Sequence, residues 1–286
     1  MNFLKTVFRI SIQNLRKWRT DYRVWTIAVF LFVMTLIYVD DLKRVADGLG
    51  FEMSVWIFPF MYTQFYYKVI FTIPLMMLLC DAPFVDKNQL YVMMRTTRTK
   101  WLGGQILYII IASGIYYLFI FAISILTTIV YGDFSFEWGQ LITALSYDPM
   151  LKFEVLDISY FAFSQVVVEY FTPLLACFYT FVMSWITGVF LGLIIFVFNL
   201  FTDTKLWGIA ICAIFIVLTI PARGWYLLDR FSPVSWSTLD QIDVGGFTTH
   251  PSLTYCICIL ALLIVLLMMA VFLFGRKKSL DVKGDQ

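Results

Sequence analysis

Few residues in this chain could do chemistry, and none stand at spacings that an enzyme would need. Its 286 residues include one histidine, His250, so no His pair can hold a metal, and no Gly-x-Ser-x-Gly elbow is present. Glycine is never followed by lysine, so the Gly-x-x-x-x-Gly-Lys-Ser/Thr loop that cradles nucleotide phosphates is missing. The five cysteines (Cys80, Cys177, Cys212, Cys256 and Cys258) all lie in or at the ends of apolar runs, where a thiol serves as a small apolar side chain. Cys256 and Cys258 point about 200° apart on a helix and cannot share one metal ion. No disulfide framework, metal site or cofactor is expected.

Lys68 is the one cation inside an apolar run. An ammonium at the bilayer centre costs about 2.5 to 3.5 kcal/mol on insertion scales unless it snorkels or finds a partner. The preceding Tyr62, Phe65, Tyr66 and Tyr67 suggest an outer aromatic belt, within which Lys68 could snorkel. The alternatives are a pair with Glu169, expected at similar depth, or a substrate-facing role. His250, beside Pro251 at the outer start of the last apolar run, reads as an interfacial residue with no assigned partner.

The elements that carry these residues are membrane spans. With 61% hydrophobic and 14% charged residues and a mean hydropathy of +0.83, lipid must be the main solvent. A crossing takes about 20 apolar residues. Candidate runs occupy 24–39, 62–80, 105–131, 173–200, 206–221 and 253–274, giving an all-α polytopic protein of about six spans forming one transmembrane domain over 1–286. With both termini cytoplasmic, 15 of the 21 Lys and Arg fall on the inner side and 5 outside, as the positive-inside rule requires. Cutting 159–201 into two spans would put Arg276, Lys277 and Lys278 outside and is rejected. The first run follows a charged arm with no small-x-small exit, so it reads as a retained anchor and not a cleaved signal.

Residues 3–19, within the arm 1–23, are amphipathic: Leu4, Val7, Phe8, Leu15 and Trp18 share one face, and Lys5, Arg9, Gln13 and Arg16 the other. This helix should lie along the inner membrane surface, its basic side toward water. The inner loop 81–104 is the most polar: Pro83 stops the second span, 86–95 can form a short helix, and Gly103 and Gly104 offer a flexible lead into the third. Such a loop suits docking on another protein. The outer segments 132–164 and 222–252 are rich in aromatics and acids and should hold short amphipathic or re-entrant helices. In the fourth span Ala176, Thr180, Ser184, Gly188 and Gly192 recur every four residues, a small-residue stripe for close helix packing within the chain or across a subunit interface. Pro74 and Pro173 should kink or loosen their spans.

This layout resembles the ABC-2 type permease subunits of bacterial ABC transporters. Residues 81–84 (Asp-Ala-Pro-Phe) through 95–105 (Arg-Thr-Thr-Arg-Thr-Lys-Trp-Leu-Gly-Gly-Gln) fall where that family has its coupling helix, and 231–236 (Phe-Ser-Pro-Val-Ser-Trp) where it has outer re-entrant helices. The glutamate usual soon after the second span is replaced by Asp81 or Asp86. The resemblance implies a multi-pass protein of the bacterial cytoplasmic membrane that exports an amphipathic peptide, drug or lipid-like cargo. It implies a dimer with a second copy or sister permease, bound to cytoplasmic ABC ATPase subunits that hold the ATP and Mg. It further implies coupling contacts at Asp86, Lys87, Gln89, Arg95 and Arg98. This chain would then be no enzyme itself, and lipids, not nucleic acid, would be its other partners. The competing readings are an intramembrane enzyme, for which paired acids, His or Cys at depth are lacking, and a non-transporting sensor or anchor that recruits an ATPase, as in peptide immunity.

Overall fold

A computed structural model describes residues 3–84, 96–151, 153, 161–202, 204–246 and 248–277. The apolar runs among them are helical. Helix α1 (Phe3–Arg16) runs through a 3-10 turn (Lys17–Arg19) to α2 (Tyr22–Leu49). Asp21 caps α2 by accepting from the Arg23 backbone N–H, and Gly50, at φ 71°, ends it in the left-handed conformation that glycine adopts without strain. The helix outruns the expected apolar stretch by ten residues, its polar last turns braced by Arg44 on Asp40 at 2.7 Å. Then come α3 (Phe65–Leu79), α4 (Arg98–Thr128), the short α5 (Gly139–Tyr147) and α6 (Gln165–Tyr170), and the long α7 (Pro173–Thr202). The chain continues through α8 (Leu206–Val217), α9 (Thr219–Ala222) and α10 (Tyr226–Asp229) to α11 (Leu253–Lys277). The extended backbone among the described residues forms a two-residue parallel pair, Met53–Ser54 with Gly132–Asp133, and a single parallel bridge, Asp243 with Ser252.

Four helices, α2, α4, α7 and α11, are long and apolar enough to cross a membrane. The other two expected spans fall short: Phe65–Leu79 has 15 residues, and Leu206–Ala222 is broken at Leu218. At 1.5 Å per residue these reach roughly 22 to 26 Å against a core of about 30 Å. The second run loses its first turn because residues 62–64 form turns, of which Tyr62 and Thr63, with the 3-10 turn Phe58–Phe60 and neighbouring Val55, Ile57 and Met61, are buried among the far ends of the helices. Helix α7 is the hub, buried along most of its length, whereas α11 shows Leu262, Leu266, Met269 and Leu273 on its surface. A folded chain that presents its most apolar helix outward needs lipid around it.

The small-residue stripe lies inside this bundle and not on its surface. A methyl group on Gly188 would come 2.7 Å from the Tyr117 ring and 2.9 Å from Leu75, and one on Gly192 2.6 Å from Ile109 and 2.8 Å from Leu79. The two glycines therefore let α7 approach α3 and α4, and Ala176, Thr180 and Ser184 continue the stripe fully buried. Pro74 stays within an unbroken α3, where the Tyr116 hydroxyl donates to the Phe71 carbonyl at 2.7 Å beside the stretch the proline loosens.

Both ends of the described chain lie at one end of the bundle. Helix α1 packs along the first turns of α4, and Gly275 near the end of α11 meets Leu102 in the same turns. This is the basic end, and the opposite end carries the short helices and the aromatic cluster of Phe60, Trp138 and Phe163.

Candidate functional site

The basic end is organised around Asp81. It follows the last turn of α3, and its carboxylate accepts from the Arg23 guanidinium at the start of α2 and from the Lys205 ammonium between α7 and α8. Burial pushes the Asp81 carboxyl up, but hydrogen bonding and charge from Lys205 and Arg23 outweigh it and hold the group below the usual carboxylate range. Asn199, near the end of α7, donates its amide N–H groups to the carbonyls of Cys80 (2.9 Å) and Ala82 (2.6 Å). The ends of four helices are thus tied to the segment that opens the 81–104 loop.

The other side of that loop is gripped by α1. Its protein-facing side is Thr6, Val7, Ile10, Ser11 and Asn14, not the full apolar face that the sequence suggests. Leu4 and Phe8 point outward, 78% and 53% exposed. The reason is Gly104: a methyl group there would lie 2.6 Å from Ile10 Cγ2, so α1 rests on bare backbone. Gly103 and Gly104 are helical residues in close contact, which corrects the expectation of a flexible lead. Asn14 donates to Gln105 at 3.1 Å, and the Trp18 indole to the Tyr108 hydroxyl at 2.8 Å. A cavity of about 70 Å³ lies between α1 and α3, with Asn14, Lys17, Asp21, Arg23 and Asp81 among its polar lining and Trp18, Met77, Leu78 and Phe84 among its apolar lining. Lys5, Arg9 and Arg16 are exposed on α1. Arg98 is the first residue of α4, while Asp86, Lys87, Gln89 and Arg95 lie outside the described residues.

The far end holds a second polar junction that sequence reasoning missed. Lys68 is buried, and its ammonium lies 3.3 Å from the Thr238 hydroxyl and 3.5 Å from the Ser235 carbonyl. This corrects both the snorkelling reading and the pair with Glu169. The Glu169 carboxylate is exposed and accepts instead from Tyr147 (3.0 Å) and Gln165 (2.8 Å). Lys68 is held by the returning segment 231–241, which enters the bundle as two 3-10 turns, Ser235–Ser237 and Leu239–Gln241. Ser184 on α7 donates to the Ser237 carbonyl at 3.4 Å. Ser184 stands eleven residues into α7, about 17 Å along its axis, so the segment dips well below the start of that helix.

That segment is anchored by His250, whose Nδ1 is 2.7 Å from Asp229 Oδ2. The Trp236 indole, fully buried, donates to the Asp229 carbonyl at 2.8 Å. The hydrogen bond to Asp229 raises the His250 pKa above its ordinary value, against a smaller opposing effect of burial. Arg223 pairs with Asp240 at 3.5 Å beside this junction. His250 thus has the specific partner that its sequence neighbourhood did not disclose, 21 residues away. The Phe-Ser-Pro-Val-Ser-Trp run at 231–236 was the available signal, a turn-forming stretch too polar for a span and too aromatic for open water. No group of three or more metal-ligating side chains exists among the described residues. Compared with protein-family models, curated proteins and solved structures, the chain gives no match.

Proposed function

We propose that this chain is the membrane-spanning subunit of an ATP-driven exporter, an ABC-2 type permease of the bacterial cytoplasmic membrane. In this reading α3 and the broken helix Leu206–Ala222 complete six crossings, their short lengths made up by inserted segments and local thinning of the bilayer. Both termini are cytoplasmic, and two permease subunits share two ATPase subunits that bind ATP and Mg. The cargo is an amphipathic molecule.

The observation that carries the reading is the pair of ties at either side of the 81–104 loop. Asp81 fastens one side to α2 and to the α7–α8 turn, while α1 clamps the other onto α4 through Gly104 and Gln105. A push on this loop from a closing ATPase would reach six helices, α1 to α4, α7 and α8, through these contacts. Closely packed helices shift as rigid bodies, so the movement would change the tilt of α3 and α4 against the α7 hub.

The test is purification of the tagged full chain from its native membrane in mild detergent, with identification of bound proteins and an ATPase assay. A stoichiometric partner with a phosphate-binding loop is expected, and Arg95→Ala with Arg98→Ala should separate its ATP hydrolysis from transport. A solitary chain under conditions that preserve known complexes would overturn the proposal. A bound ATPase with no cargo movement in reconstituted vesicles would identify a recruiting anchor instead.

A further inference from the structure

A cleft of about 640 Å³ opens at the far end between the start of α5 and the α6–α7 junction, lined among others by Glu137, Trp138, Gln140, Glu169, Tyr170 and Phe171. Its volume is that of a small-molecule site. Among the described residues no Lys, Arg or His lines it. The Glu169 carboxylate accepts from neutral donors, Tyr147 and Gln165, and no salt bridge joins Glu137 or Glu169 to another described residue. The first turns of α5 and α7 border the cleft, each bringing roughly half a positive charge. These partial charges are smaller than the full charges of the two carboxylates.

The walls are aromatic. Phe136 and Tyr170 are exposed at the rim, and such ring faces attract cations. Pro173 is the last lining residue, and just beyond it α7 exposes Leu174, Leu175 and Phe178. A ligand here would meet negative charge and ring faces at one end and a lipid-like surface at the other.

We propose that this cleft binds a free cationic amphiphile, its charged group between Glu137 and Glu169 and its apolar part along the first turns of α7. A zwitterionic lipid headgroup fits less well, because its phosphate would be drawn against the same two carboxylates. Binding is independent of the transporter reading; that the bound molecule is the exported cargo rests on it.

The experiment measures equilibrium binding of tetraphenylphosphonium to the full chain in uncharged maltoside micelles, with tetraphenylborate as a control of the same shape and opposite charge. Saturable binding of the cation is expected, weakened about tenfold in Glu137→Gln/Glu169→Gln and also by high salt. The anion should not saturate. Both glutamates are exposed, so the double variant should fold, and its thermal unfolding checks this. Equal affinity in the double variant, or saturable borate binding, would overturn the proposal. So would displacement of the cation by stoichiometric phosphatidylethanolamine, which would assign the cleft to a lipid headgroup. No ATPase takes part, so failure here and failure of the transporter reading are distinguishable.

Discussion

His250 Nδ1 sits 2.7 Å from an Asp229 carboxylate closed to solvent, joining the start of the last span to the segment that dips beneath it. Because the histidine pKa is raised in the folded state, the pair stabilises most fully below the ordinary value of 6.5. That contribution is lost as pH rises through the higher folded value. Unfolding temperature in detergent should therefore fall over this interval, and His250→Ala should flatten the profile. At low pH the variant should lose about 1.5 to 3 kcal/mol, because a buried carboxylate is left without its charged partner. Adding Asp229→Asn should recover part of the loss.

Helix packing at α7 makes a ranked prediction. A methyl group on Gly208 would meet the Ile195 backbone, Cα at 2.8 Å and carbonyl oxygen at 3.1 Å, whereas one on Gly192 would meet the ends of the Ile109 and Leu79 side chains. Side chains can turn aside and backbone cannot. Gly208→Ala should cost about 1 to 3 kcal/mol and Gly192→Ala distinctly less, read from thermal unfolding of the two variants.

At Gly104 the obstacle is Ile10 itself, with Cβ at 2.7 Å. Gly104→Leu should lift α1 from α4. A cysteine placed at Ser11, which is fully buried, should resist a water-soluble maleimide in the parent chain and react in the Gly104→Leu background. Equal protection in both would show that α1 is held by contacts other than this close approach.

Asp81→Asn removes the ion pairs with Arg23 and Lys205 at the basic end. Arg23, Lys205 and Asp81 side chains are 49%, 66% and 33% exposed, so solvent screens these contacts and each is worth about 0.2 to 1 kcal/mol. The depressed Asp81 pKa means that this stability is present above the ordinary carboxylate value and lost as pH falls through the lower folded one. The variant should fold nearly as stably as the parent, while, if the proposed exporter function holds, the ATPase-to-transport ratio should rise in the reconstituted complex. An unchanged ratio would remove Asp81 from the proposed force path.

Lys68→Met replaces a buried ammonium, held by two long neutral contacts, with an apolar chain of similar length. Its unfolding temperature should match or exceed the parent's, because the desolvation cost of the charge disappears. A fall of several degrees would mean that the contacts to Ser235 and Thr238 hold the 231–241 segment in place.

Local pattern alone determined a good deal of this protein. Apolar runs of spanning length become helices because a backbone in lipid must satisfy its own hydrogen bonds, and the basic arm forms a helix because its polar and apolar residues alternate at helical period. The small-residue stripe on α7 was also visible, since spacing by four marks one helix surface whatever packs there. The partners were decided only by the tertiary structure. Nothing near Lys68 in sequence points to Thr238, 170 residues away, and nothing near Asn14 points to Gln105, 91 residues away. Which side of α1 faces protein depended on Gly104 in another helix, and α3 is shorter than its apolar run because the residues before it are buried as turns. Periodicity reports which side of an element avoids water; which neighbour it meets is set by the joint packing of all the elements.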